Sequence, residues 1–196
     1  MQKLNQKYIN FIVKKALDED LKPRGDITTK LIRSNNKKIK AKIIARQDGI
    51  VAGIEFCKKA FKLVGRETIF RAKVKDGNLI KKNNTIAEVF AKTKTILVAE
   101  RTALNFLNHA SGIATLTNNF VKKVGKKTKI CCTRKTTPNL RLLEKYAVRK
   151  GGGFNHRYNL SDEILIKDNH ISVEKNLRNL VIKALKFKKK VTVEIE

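Results

Sequence analysis

No stretch of this 196-residue chain approaches the roughly 20 consecutive apolar residues that a helix needs to span a bilayer, so no membrane association is expected. The opening MQKLNQKYINFIVKKAL alternates polar and apolar residues where a secretory leader would hold a continuous apolar run, which points to the cytoplasm. Metal-knuckle spacing is missing too. Cys57, Cys131 and Cys132 are odd in number and lack CxxC spacing, which excludes a disulfide framework and a zinc site and leaves reduced, mostly buried thiols. Internal repeats and low-complexity linkers are also lacking. Acidic residues are scarce: 17 Asp plus Glu face 45 Lys plus Arg, a net charge of +28. Such an excess suits a polyanionic partner, but the lysines are spread over the whole length instead of forming one arm with interleaved aromatics. They read as solvated faces, and no nucleic-acid partner is expected.

What remains is 41% hydrophobic, enough to bury a core. Leu4, Tyr8, Phe11, Ile12 and Ala16 recur at helical spacing and predict an amphipathic helix over residues 3–17, ended by the turn-rich LKPRGDITT. From Ile39 the period becomes two. Ile39, Ala41, Ile43 and Ala45 share a face opposite Lys40, Lys42 and Ile44, the pattern of a half-buried strand. A helix over 55–64 follows, then strands around Phe70 to Val74 and Ile86 to Phe90 with an AspGly turn at 76 and 77 between them. Residues 1–100 thus predict an α+β sandwich with a mainly antiparallel sheet.

Beyond residue 100 the grammar changes. A long helix through Ala99, Ala103, Phe106, Ala110, Ala114 and Val121 leads into apolar runs at 130–133, 164–166 and 191–195, with helices at 139–149 and 173–187 between them. Alternation of this kind predicts a parallel α/β sheet or barrel over residues 101–196. Each run ends in polar groups: Arg134 and Lys135, then Lys167 and Asp168, then Glu194 and Glu196. In α/β barrels the C-terminal strand ends form the active-site face, so these residues should converge, joined by Arg101, His156 and Arg157. A guanidinium offers a planar fork to carboxylate or phosphate and lysines act as point charges, so the implied ligand is small and multiply anionic. Glu194 could bring in a divalent cation.

GDITT at 25–29, ERTALNFLNHASGIATLT at 100–117, TRKTTPNLRLLEKYAVRKGGGFNHR at 133–157 and LSDEILIKDNH at 160–170 resemble, in order, the signature blocks of quinolinate phosphoribosyltransferases. The resemblance implies transfer of phosphoribose from phosphoribosyl pyrophosphate to quinolinate, with magnesium, giving nicotinate mononucleotide, carbon dioxide and pyrophosphate. It implies that Arg134, His156 and Arg157 hold the quinolinate carboxylates and that Lys135 and Lys167 face substrate and phosphates. Arg101 would reach a neighbouring subunit's pocket in a homodimer or higher oligomer. Glu194 would stand near magnesium and the ribose hydroxyls, Glu196 being the other candidate. His109 is expected on a helix surface or interface, His170 and Asp168 as local supports, and Gly151 to Gly153 as a flexible connection or a close approach to ligand.

A closed barrel takes about 250 residues, far more than remain after residue 100. The expected architecture is therefore an α+β sandwich followed by the first part of an incomplete barrel, C-terminally truncated, without turnover of its own. An inactive remnant, a molybdenum-transport-associated homologue and a non-specific basic nucleic-acid binder are the alternatives.

Overall fold

The computed structural model describes residues 4–33, 36–125 and 127–195. They form two compact units, one of residues 4–132 with 136–155 and the other of 133–135 with 156–195.

In the larger unit, α1 (Gln6–Leu21) starts where the Asn5 side chain accepts the Tyr8 N–H at 2.8 Å, and it buries Ile9, Ile12, Val13 and Leu17 on one face. It runs one turn further than the periodicity predicts. A 3₁₀ turn at Thr29–Leu31 follows, held by Asp26, which accepts both the N–H and the hydroxyl of Thr29. Strands β1 (Lys38–Ile44), β3 (Ile69–Ala72) and β5 (Thr85–Lys92) make an antiparallel sheet in the order β1-β5-β3. Two-residue strands β2 (Gly49–Ile50) and β4 (Leu79–Ile80) pair beside it, too short to leave a period in the sequence.

One face of the sheet packs into the core. Ile39, Ala41 and Ile43 of β1 turn inward with Ala87, Val89 and Ala91 of β5, while the intervening lysines turn to solvent. Helices α2 (Ile54–Val64) and α3 (Thr93–Val124) cover this face, with Phe56 stacked on Phe106 at 5.5 Å between ring centres. Gly53 opens α2 at φ 98°, and a Cβ there would stand 3.2 Å from the Phe106 carbonyl, so both the backbone and the space favour glycine. Helix α3 also satisfies the backbone of β2 and of the connection after it: Thr115 Oγ1 accepts the Ile50 N–H at 2.9 Å and Ser111 Oγ that of Ala52 at 3.0 Å. The change of period near residue 100 falls inside this helix. Strand β6 (Cys131–Cys132), helix α4 (Arg141–Lys150) and β7 (Phe154–Asn155) complete the unit, β6 and β7 pairing in parallel.

The smaller unit is a βαβ crossover. Strands β8 (Ile164–Ile166) and β9 (Val191–Val193) pair in parallel, joined by α5 (Asp168–Glu174) and α6 (Leu177–Leu185). The single helix expected over 173–187 is in fact the end of α5 and all of α6. Lys175 adopts φ 58° and closes α5, and the Asn176 side chain accepts the Asn179 N–H at 3.0 Å and starts α6. The first part of the chain is therefore the expected α+β unit, and parallel strand pairs with helices follow it.

Candidate active site

Six of the seven predicted site residues gather in the smaller unit: Arg134, Lys135, His156, Arg157, Lys167 and Glu194. Each follows the C-terminal end of a strand, β6 for the first two, β7 for the next two, then β8 and β9. Arg101 lies in the larger unit, exposed on α3, and Glu196 lies outside the described residues.

Register explains the best-defined contact. Ile166 pairs with Val193 across the parallel ladder, and the Glu194 N–H donates to the Ile166 carbonyl at 2.9 Å, so Lys167 and Glu194 leave their strands side by side. The Lys167 Nζ meets Glu194 Oε2 at 2.5 Å, with side chains 39% and 54% exposed. A pair so open to water contributes about 0–1 kcal/mol, which leaves both groups able to exchange this contact for a ligand. The orienting support expected from Asp168 comes instead from Glu194, which pairs with the ammonium, while His170 supports the local backbone as expected. His170 Nδ1 accepts the Lys167 N–H at 3.0 Å, which fixes the turn into α5.

Arg157 is the buried member, 7% exposed, and its Nη1 donates to the Glu163 carbonyl at 3.3 Å. His156 Nε2 lies 3.6 Å from Glu163 Oε2, and Lys190 lies 3.8 Å from the same oxygen. Glu163 is the site-forming residue that sequence reasoning missed. Its signal is the second acid of the AspGlu pair in LSDEIL, directly before β8, while Asp162 is used locally to accept the Tyr158 N–H at 2.9 Å. Lys135 is exposed, and its N–H donates to Thr133 Oγ1 at 3.1 Å in a short polar turn. Five basic or imidazole groups and one open carboxylate thus come from four chain segments, an arrangement suited to a small polyanion.

Among the described residues no group of three or more His, Cys, Asp and Glu gathers as a ready metal cage. The donor present, Glu194, still suits magnesium, which commonly uses one or two carboxylates and completes its shell with water and substrate phosphate.

Other expectations are corrected in the larger unit. A Cβ on Gly151 would lie 2.2 Å from the Ala114 carbonyl oxygen, and one on Gly153 would lie 2.8 Å from Thr117. These glycines let α4 and its turn close against α3. His109, by contrast, lies on the helix surface as expected, with its Nε2 2.9 Å from the largely buried Glu144 of α4, whose carboxylate also accepts the Thr137 N–H at 3.2 Å. Of the cysteines only Cys57 is buried, and burial, then the Asp76 charge, push its thiol up to about 12. Cys131 is exposed and Cys132 intermediate, its sulfur 3.1 Å from the buried Lys145 Nζ.

The model of the quinolinate phosphoribosyl transferase N-terminal domain matches residues 26–111 and that of the C-terminal domain residues 113–196. The solved structure of NadC from Streptococcus pyogenes superposes with a TM-score of 0.93 at 39% identity, covering 100% of this chain and 70% of that one. This chain belongs to the quinolinate phosphoribosyltransferase family. Among curated members of the family, a probable nicotinate-nucleotide pyrophosphorylase (carboxylating) of Bacillus subtilis is 44% identical over 76% of this chain and 51% of its own length. Its counterpart in Methanocaldococcus jannaschii is 43% identical over 94% of this chain and 65% of its own. The chain therefore spans about half to two thirds of the length of these family members. No helix among the described residues is long and apolar enough to cross a membrane.

Proposed function

We propose that this chain carries the quinolinate-binding part of a phosphoribosyltransferase that joins quinolinate to phosphoribosyl pyrophosphate, giving nicotinate mononucleotide, carbon dioxide and pyrophosphate. The observation that carries the proposal is the gathering of Arg134, Lys135, His156, Arg157 and Lys167, with Glu194, into one compact unit at four strand ends. The names of the relatives agree with it.

In this chemistry the pyridine nitrogen of quinolinate bonds to ribose C1 while the bond from C1 to pyrophosphate breaks, its electron pair leaving with pyrophosphate. The ring carboxylate beside that nitrogen then departs as carbon dioxide, and a proton takes its place. No enzyme nucleophile is needed. Arg134, His156 and Arg157 hold the two carboxylates, and their fixed charges favour the bound dianion over the hydrated one. Lys135 and Lys167 face the phosphates and stabilise the charge that grows on departing pyrophosphate. Bound magnesium would be held by Glu194 and would neutralise pyrophosphate oxygens as they leave. Arg101, exposed on the other unit, serves the site of a second copy, which makes a homodimer the working form.

Calorimetric titration of the 196-residue chain tests the assignment. Quinolinate should bind more tightly than nicotinate, which lacks the second carboxylate. Equal affinities would remove the basis for the reading.

A further inference from the structure

The outward face of the three-stranded sheet carries a cationic pattern that the proposed chemistry does not use. Cross-strand register arranges it in rows. Lys38 of β1 lies beside Lys92 of β5. In the next row Phe90, on the central strand, stands between Lys40 and Ile69. The third row sets Glu88 between Lys42 and Arg71. Rows are two residues apart, about 7 Å along the strand.

Glu88 is the one carboxylate in these rows, and Lys40 at 2.7 Å and Lys73 at 3.1 Å already engage it. Among the described residues Lys42, Arg71 and Lys92 form no ion pair, so their charge faces water. Phe90 and Ile69 are 41% and 47% exposed, an apolar island on cationic ground. At the Lys38 and Lys92 end the face opens into a cleft of about 380 Å³, rimmed also by Arg66 and Lys94, with Glu67 as its sole acid.

We propose that this sheet face binds single-stranded nucleic acid, with phosphates along the Lys and Arg rows and a base stacked on Phe90. Basic grooves with interleaved aromatics hold unpaired strands because every base has a stacking face, whereas a duplex keeps those faces covered. Charge complementarity supplies attraction and Phe90 supplies the preference for open strands. The inference is independent of the quinolinate site, which lies in the other unit.

Fluorescence anisotropy with a labelled oligothymidylate of about twelve nucleotides, within the range of single-strand site sizes, tests it on the intact chain. Affinity should fall steeply with salt. Phe90→Ala should weaken binding roughly thirtyfold, in the middle of the range for one base stack. Lys42→Gln with Arg71→Gln should weaken it and reduce the salt slope by about 1 to 2. Lys186→Gln with Lys189→Gln removes the same charge from the other unit and should change neither. Ultraviolet cross-linking of the unsubstituted chain should attach thymidine to the peptide holding Phe90, reading the contact without any substitution. Absence of binding, an equal loss in the Lys186 and Lys189 control, or cross-links confined to other peptides would overturn the proposal.

Discussion

A guanidinium that is 7% exposed has little room to adjust, so Arg157 offers its ligand a fixed direction as well as a charge. Replacing Arg157 by Ala is expected to weaken quinolinate by about 1.5–3 kcal/mol, the range for a hydrogen bond to a charged group, measured by calorimetry on a chain whose circular dichroism is unchanged. An unaltered affinity would place the carboxylates elsewhere. A second residue-scale outcome concerns Glu88, whose hydrogen bonds from Lys40 and Lys73 hold its carboxyl at about 2, below the ordinary 4.5. A lowered folded-state value contributes stability that is complete above the unfolded value and lost as pH falls toward the folded one. The urea midpoint of the native chain should therefore exceed that of Glu88→Gln at neutral pH, and the gap should close between about pH 4.5 and 2. A pH-independent gap would refute the ion-pair account. Arg134, Lys135, Lys167 and Glu194 were legible in the sequence because polar residues directly after short apolar runs mark strand ends. Glu163 was not, because its role comes from facing His156 and Lys190 across a fold that no period encodes.

At the scale of elements, the long and strongly periodic pieces were legible and the short ones were not. Helix α3 and strands β1 and β5 each bury one side, and that leaves a period in the sequence. Strands β2, β4 and β7 have two residues each, too few to show alternation, and exist because a tertiary partner lies opposite. The break between α5 and α6 rests on one left-handed residue, Lys175, with no glycine to announce it. The glycine run at 151–153 was visible, but its purpose was not, since the Ala114 carbonyl it must clear belongs to α3. Gly151→Ala should thus lose about 1–3 kcal/mol of stability, the usual range for overpacking, because the blocking atom is helix backbone and cannot turn aside. Gly112→Ala within α3 meets nothing within 4 Å and should instead gain about 0.5–1 kcal/mol from helix propensity. Denaturant titration of the two variants checks the contrast, and equal effects would show that the seam between α3 and α4 is looser than described.

On the scale of the whole molecule, the proposed site draws on two copies. An Arg101→Ala chain mixed with an Arg157→Ala chain should then bind quinolinate better than either alone, since a mixed dimer restores one site with both arginines. Calorimetry of the mixture against its parents decides this, and strict averaging of the two would mean that Arg101 serves no neighbour. Helix α3 gives this arrangement a mechanical side. Its 32 residues form one uninterrupted rod, gripped at Ala114 by the glycine turn and presenting Arg101 about 20 Å away along the axis. Its length makes it a lever arm steadied at the far end by the packing of Ala99, Thr102 and Ala103 beside Arg101: one degree of tilt about the grip would sweep the distant guanidinium through about a third of an ångström. Misplacement of about 1 Å can cost a hundredfold in rate, so a few degrees of slack at a glycine remote from the chemistry would suffice to spoil the aim.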